Sequence, residues 1–327
     1  MQFTRAVVAR EPGGPEVLEV VEVARPVPGP GEVLIKVHAA GVNRADVYQR
    51  MGFYDPPAGV TQVLGLECAG EVVARGPGAS AFEPGDRVCA LLPGGGYADY
   101  VAAPEGLVAR VPDRLTMAEA AGLMEAAATV WSNVFWAGGL QRGETLLIHG
   151  GASGIGTLAI QIAKAAEARI VVTAGSEAKL EACARLGADV TINYRDGDFS
   201  DHLEHLGLRA DVVLDIMGGS YLSQNVRSLA VGGRLVVIGL QGGAMGQLDL
   251  GTLLAKRATV VATSLRARSL AEKESVVART VAHVWPLIES GAVTPVIHGT
   301  FPLGDAAKAH QTVEESTHLG KVVLLMD

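Results

Sequence analysis

No proline lies between Asp113 and Trp285, although the chain carries 15 and twelve of them fall at or before Pro112. Proline removes a backbone donor and fixes φ, so central strands and helix interiors exclude it. The proline-free middle is therefore where continuous regular structure should sit. Within it, short runs rich in valine and isoleucine recur: TLLIH (145–149), IVVT (170–173), VTIN (190–193), VVLD (212–215), RLVVIG (234–239) and TVVATS (259–264). Helix-like segments separate most of them. From Ile155, the apolar residues Ile155, Leu158, Ala159, Ile162 and Ala163 follow i, i+3, i+4, i+7, i+8, one face of a helix. Strands alternating with helices imply crossovers and a parallel sheet, hence a doubly wound α/β domain. Six such strands make a full dinucleotide-binding unit.

The segment LLIHGGASGIGTLAIQIAKA sharpens that expectation. A strand should end at His149, and Gly150, Gly151, Gly154 and Gly156 then lead into the amphipathic helix. Glycines permit the tight turn and let backbone amides approach a pyrophosphate, while the helix N-terminus adds unsatisfied N–H groups and a positive dipole end. The candidate phosphate-binding residues are Gly151, Ser153, Gly154, Ile155 and Gly156. A glycine-rich turn that binds nothing is the bland alternative, and its position at the head of six alternating units argues against it.

An acid about 20 positions further on would hold a ribose 2′-hydroxyl, whereas a 2′-phosphate needs cationic or neutral donors. That region reads VVTAGSEAK. Gly175 and Ser176 stand at the strand end, Lys179 opens the next helix, and Tyr194 ends the third strand. A lysine in a first turn opposes the helix dipole, and a bound phosphate would give it a reason to be there. These residues point to NADPH over NADH. Ser176 also suits an N-cap, Lys179 a solvated surface, and Glu177 could act as the ribose-binding acid. Gly218 and Gly219 follow the fourth strand, Gly239, Leu240 and Gln241 the fifth, and Ser264 closes the sixth. Loops at the carboxyl ends of such strands border the ligand, so Gly239, Leu240 and Ser264 are further cofactor candidates; the glycine pairs also read as simple turns.

The flanks differ. EVLEVVEVARPVPGPGEVLIKVHAAGV offers strands broken by proline and glycine, as in an antiparallel barrel-like domain. The tail offers a short helix and a strand, VVLLM, expected to rejoin the N-terminal domain. A chain of 327 residues suits two domains, and its 49% hydrophobic content suffices for two cores. The formal net charge of −8 disfavours nucleic acid, whose binding needs a clustered positive field. Cys68, Cys89 and Cys183 are far apart and read as reduced, buried thiols of a cytoplasmic protein. The N-terminus MQFTRAVVAR has no apolar signal region, and Thr145–Ala163, the longest uncharged stretch, reads as strand, loop and helix rather than a membrane span.

The segments PVPGPGEVLIKV, GVNRADVYQRMGFYDPP, VLGLECAGEV and EPGDRVCALLPGGGYADYV, with the glycine loop, resemble the medium-chain dehydrogenase/reductase superfamily, and most of all its zinc-free, zeta-crystallin-like quinone oxidoreductase branch. NRADVYQRMGFYDPP and ALLPGGGYADYV are most similar to the tumour-suppressor-induced group of animal quinone oxidoreductases. The resemblance implies a Rossmann domain inserted in a GroES-like, β-rich catalytic domain, with residues 1–125 and 266–327 forming the catalytic part and 126–265 the cofactor-binding part. It further implies a cofactor in the interdomain cleft and a homodimer through edge pairing at ATVVATS.

By the same resemblance, zinc members carry a ligand Cys where Asn43 stands and a His where Leu66 stands, and the four-cysteine structural-zinc lobe is missing after Ala90. Zinc needs about four ligands, and His202 with His205, at i, i+3 in DHLEHLGLRAD, reads as a solvated helix face. Alcohol oxidation wants a Lewis acid or a strong base at the oxygen. A quinone or activated enone needs chiefly positioning against the nicotinamide, plus a modest oxyanion donor. The resemblance assigns Asn43, Tyr48 and Tyr54 to the acceptor and Thr129 to the nicotinamide. Loop packing for the tyrosines and a turn cap for Asn43 are the simpler alternatives. The expected activity is metal-independent, NADPH-dependent quinone reduction. Its rivals are 2-enoyl thioester reduction, with Tyr54 as acid, and a cofactor-binding protein with little turnover.

Overall fold

The computed structural model describes residues 2–326. They divide into two compact units: one comprises the chain up to Ala128, Arg266–Glu289 and the chain from Pro295 onward, and the other comprises Thr129–Leu265 with Ser290–Thr294.

The first unit begins with β1 (Phe3–Ala9), β2 (Leu18–Ala24), β3 (Glu32–Val42), α1 (Arg44–Arg50), β4 (Glu67–Arg75), β5 (Arg87–Leu91), β6 (Tyr100–Pro104), β7 (Val108–Arg110) and α2 (Met117–Ala121). α3 (Met124–Val130) runs on into the second unit, which contains β8 (Thr145–His149), α4 (Gly154–Ala165), β9 (Arg169–Ala174), α5 (Glu177–Leu186), β10 (Val190–Asn193), α6 (Phe199–His205), β11 (Ala210–Asp215), α7 (Leu222–Ser228), β12 (Leu229–Val237), α8 (Leu250–Lys256) and β13 (Thr259–Ala262). The first unit closes with α9 (Leu270–Glu289), β14 (Ile297–Pro302), α10 (Ala306–Glu314) and β15 (Lys321–Leu325).

In the first unit the main sheet runs β14-β15-β3-β4-β5-β7, with β6 also on β3, and β1 and β2 form a separate antiparallel pair. The C-terminal strand does rejoin the N-terminal part: Val322 faces Val42 and Leu324 faces Ala40 in antiparallel register. Val33, Ile35, Val37, Leu64, Cys68, Val88, Val322 and Leu324 fill its core.

The second unit is a six-stranded, wholly parallel sheet ordered β10-β9-β8-β11-β12-β13. Chain order runs outward from β8 on one side and resumes at β11 on the other, so the sheet reverses beside β8. Ligands of open α/β sheets bind at that switch point, beyond the strands' carboxyl ends. Leu147, Val171, Val213 and Leu235, one from each of four neighbouring strands, pack with Phe199 and Leu203 from α6. All six expected strands are present. No helix of the described residues is long and apolar enough to cross a membrane.

Two features lie outside the sequence expectations. Trp131–Ala137 is a π-helical stretch in which Trp131 stacks on Phe135 at 4.8 Å. Ser290–Thr294 returns to the second unit, where Thr294 exchanges two hydrogen bonds with the Gln161 side chain, at 2.9 and 3.0 Å.

Candidate active site

The glycine loop leaves β8 at His149, and each of its glycines has a local reason. Gly150 has φ 68°, a left-handed conformation that side chains disfavour. A Cβ on Gly151 would stand 2.8 Å from Val172 Cβ and 3.1 Å from Cys183 Sγ, and one on Gly156 would stand 2.4 Å from the Gly150 carbonyl oxygen. Bare backbone therefore packs helix α4 tightly against the turn. Ser153 caps α4, its hydroxyl accepting the Gly156 N–H at 3.0 Å. Beneath the loop His149 is buried. Its Nδ1 lies 3.0 Å from Thr173 Oγ1 and its Nε2 2.7 Å from Asn225 Oδ1, and Phe199 and Tyr221 meet its ring edge-on. Burial pushes its pKa down to about 4, so it is neutral at pH 7. His149 is a support that sequence reasoning passed over.

At the end of β9, Gly175 and Tyr194 are pressed together: a Cβ on Gly175 would lie 2.4 Å from Tyr194 Oη. Ser176 occupies the N-cap of α5 without a side-chain capping bond, so its hydroxyl is not committed to the helix. Glu177 is exposed in the first turn. Lys179 is half-buried, and its pKa is lowered first by burial and then by the charge of Arg195. Lys179, in the helix after β9, thus feels a second cation, Arg195, that follows β10. Arg195 is the residue the sequence reading missed; its signal was its place directly after Tyr194 at the end of β10. Gly239 lies after β12 against the Ile216 backbone, and Leu240 and Ser264 are exposed. All the cofactor candidates, and Thr129, fall in the second unit. The carboxylate of Asp215, at the end of β11, accepts the N–H groups of Met217 (2.7 Å) and Gly218 (3.0 Å), which shapes the loop after that strand.

The first unit holds the acceptor candidates. Asn43 sits at the N-cap of α1, and Asp46 reaches back so that its carboxylate accepts the Asn43 backbone N–H at 2.8 Å and the Gly65 N–H at 3.1 Å. The Asn43 side chain is engaged with two buried charges. Its Oδ1 accepts from Lys321 Nζ at 2.6 Å, its Nδ2 donates to Glu67 Oε1 at 3.0 Å, and Lys321 Nζ donates to the same Glu67 oxygen at 2.7 Å. Glu67 is 0% and Lys321 5% exposed. The other Glu67 oxygen accepts the Glu125 N–H at 2.9 Å. Gly41 makes room: a Cβ there would stand 2.3 Å from Glu67 Oε1 and 2.6 Å from the Ala121 carbonyl oxygen. Neither Glu67 nor Lys321 was singled out from the sequence, because a charged pair 254 positions apart leaves no local pattern.

Tyr48 and Tyr54 are half-buried. The loop carrying Tyr54 is tied down by Arg266, whose Nη1 donates to the Tyr54 carbonyl (3.3 Å), Nη2 to Gln49 Oε1 (2.8 Å) and Nε to the Pro93 carbonyl (2.8 Å). The guanidinium carbon stands 5.1 Å from the Tyr54 ring centroid, within cation–π range. Arg266, too, was not read from the sequence.

These residues do not fit a zinc ion. Zinc takes about four N, S or O ligands. Among the described residues no group of three or more His, Cys, Asp or Glu could hold a metal, and Glu67 is already satisfied by an ammonium, an amide and a backbone N–H.

Residues 29–113 match the alcohol dehydrogenase GroES-like domain, and residues 154–281 match the family described as zinc-binding dehydrogenase. The quinone oxidoreductase of Rattus norvegicus is 32% identical over 330 residues, covering 99% of this chain and 98% of the relative. Among solved structures, the Escherichia coli quinone oxidoreductase complexed with NADPH superposes with a TM-score of 0.89 at 29% identity, covering 98% of this chain and 99% of that one. An NAD-dependent alcohol dehydrogenase gives 0.88 at 34%, covering 99% and 100%. A GroES-like part joined to a parallel dinucleotide-binding sheet defines an oxidoreductase architecture. The chain belongs to the medium-chain dehydrogenase/reductase superfamily, in its zeta-crystallin-like quinone oxidoreductase branch.

Proposed function

We propose that this protein is a metal-independent, NADPH-dependent reductase of quinones or similarly activated enones. The observation that carries the reading is Lys321. Its ammonium bonds both Asn43 and Glu67, so the buried carboxylate and the amide are held by a side chain of this chain rather than by a metal. A bound reduced nicotinamide supplies a hydride, and a quinone that takes up this hydride and one proton becomes a hydroquinone. The chain's task is to bind and orient. Gly151, Ser153, Gly154, Ile155 and Gly156 hold the pyrophosphate at the start of α4. Gly175, Ser176, Tyr194 and the cations Lys179 and Arg195 hold the adenosine end with its 2′-phosphate; Gly239, Leu240, Ser264 and Thr129 flank the remainder. Asn43, Tyr48 and Tyr54 receive the acceptor, and the hydroquinone oxygen takes its proton from solvent.

A second reading, 2-enoyl thioester reduction, has one observation in its favour: the Tyr54 loop is pinned by Arg266 rather than left free, as a positioned acid requires. The assembly proposed is a homodimer paired along β13, the edge strand of the parallel sheet. The deciding experiment is turnover of NADPH with 1,4-benzoquinone and with crotonyl thioester, run side by side. Efficient thioester reduction with negligible quinone reduction would replace the first reading by the second.

A further inference from the structure

The Asn43–Glu67–Lys321 triangle settles which end of the Asn43 amide is nitrogen. Turned over, the amide would set its oxygen against Glu67 Oε1, two acceptors, and its NH₂ against the Lys321 ammonium, two donors. As observed, Oδ1 meets the ammonium and Nδ2 meets the carboxylate. Because Lys321 and Glu67 also bond each other, the three groups form a closed ring in which no member rotates without breaking two contacts. An amide nitrogen has two N–H donors. Among the described residues Asn43 Nδ2 has one partner, Glu67 Oε1, which leaves the second N–H uncommitted on a residue that is 8% exposed.

We propose that this remaining Asn43 Nδ2–H is the hydrogen-bond donor for an acceptor oxygen that gains negative charge, and that Lys321 is the positioning residue that holds the amide in the donating orientation. The inference rests on the reductase reading for its substrate, an oxyanion of the phenolate type. It does not need that reading for its binding prediction. The physical argument is preorganisation. A donor already fixed in a buried site stabilises developing charge without reorganising, and removing such a donor typically slows turnover about 10²–10³-fold. A released amide would present its oxygen part of the time and repel the same anion.

The test uses the full-length protein and 4-nitrophenolate as the probe, read by absorbance with no turnover. NADPH affinity, by fluorescence, and the kcat and KM for 1,4-benzoquinone are measured alongside. The variants are Asn43→Ala, the pair Lys321→Met with Glu67→Gln (which removes the ammonium without leaving a buried carboxylate alone), and the three changes together. Circular dichroism checks that each is folded. The expected result is that the wild type binds 4-nitrophenolate, that Asn43→Ala and the Lys321/Glu67 pair each weaken it at least about tenfold, and that the triple variant is no worse than Asn43→Ala alone. kcat should fall with the same pattern while NADPH affinity holds. Wild-type protein without phenolate affinity, a folded pair variant that binds and turns over like the wild type, or effects that simply add in the triple variant would overturn the proposal. If the phenolate pattern appears but no quinone is reduced, the donor assignment stands and the quinone reading falls.

Discussion

Gly175 is held face to face with Tyr194, so closely that a methyl group on the glycine would lie 2.4 Å from the phenol oxygen and 2.7 Å from its ring carbon. Tyr194 is 42% exposed and can swing outward, so Gly175→Ala should cost little stability, about 0.5 kcal/mol or less, the ordinary range for a surface change. It should nevertheless weaken the cofactor, because the tyrosine must leave its place. Fluorescence titration with NADPH beside a denaturation curve checks both halves.

Lys179 and Arg195 give that same corner its charge. Replacing either with Ala removes a charge-assisted contact worth about 1–3 kcal/mol. NADPH binding should weaken roughly 5–150-fold while NADH binding changes little. Burial and Arg195 both depress the Lys179 pKa, a strain that a bound phosphate relieves. Equal weakening for both dinucleotides would show that neither cation touches a 2′-phosphate.

Tyr54 separates the two reductase readings. After hydride transfer an enoyl thioester must be protonated on carbon, and a positioned acid contributes about 10²–10⁴-fold. A reduced quinone carries its charge on oxygen, which solvent protonates. Tyr54→Phe should therefore keep quinone turnover within about an order of magnitude, the loss of one neutral hydrogen bond. Efficient thioester reduction by the wild type, abolished in Tyr54→Phe, would decide for the other substrate.

Purified protein should carry no stoichiometric zinc, and quinone reduction should survive chelators. Elemental analysis and an assay after dialysis against a chelator make the check. A tightly held zinc whose removal stops turnover would mean that Glu67 is not occupied by Lys321 in solution as it is here.

Two buried carboxyls set a pH dependence. Asp46 is raised from 3.8 to about 6 by burial, against the opposing pull of the Asn43 N–H, the charge of Lys321 and the Gly65 N–H, with Glu67 adding to the rise. Asp215 is raised to about 6 in the same way, burial outweighing its bonds to Met217 and Gly218. Between about pH 4 and 6 the folded state binds more protons than the unfolded one, so each group's contribution to stability is full below the unfolded pKa and is lost as pH rises through the folded one. For Asp46 the loss amounts to at most roughly 3 kcal/mol. Urea midpoints at pH 4.5 and 7 should differ more in the wild type than in Asp46→Asn. An unchanged difference would show that Asp46 titrates normally.

The parallel sheet was legible because each strand is announced locally: the runs at 145–149 and 190–193 coincide with β8 and β10 to the residue. The glycine loop was legible because backbone geometry restricts the residue types that can form it. The charged residues beside the candidate positions were not. Arg195, Glu67, Lys321 and Arg266 act through partners distant in sequence, and a charged residue at a strand end looks the same from the sequence whether it is solvated or buried against a carboxylate. The loop GVNRADVYQR pointed to Asn43 without showing what its amide would meet. The π-helical stretch at Trp131–Ala137 left no mark either, since no proline or glycine within WSNVFWA announces the widened turn.

The pairing of β15 with β3 also dictates an order of events when the chain is made. Synthesis runs from the N-terminus, so β3 leaves the ribosome long before Val322 and Leu324 exist to lie against it. Every strand of the parallel sheet is synthesised in that interval, and all of their partners are available before the first unit can close. Throughout the wait the Ala39–Val42 end of that β3 edge is open, β6 covering only Glu32–Lys36, and the Glu67 carboxylate has no cation beside it. Lys321 opens β15, and one addition both caps the open stretch and neutralises the enclosed charge. A chain stopped before Lys321 would hold all six strands of the parallel sheet attached to a first unit that cannot neutralise its own enclosed carboxylate, with open strand and unpaired charge at the same place.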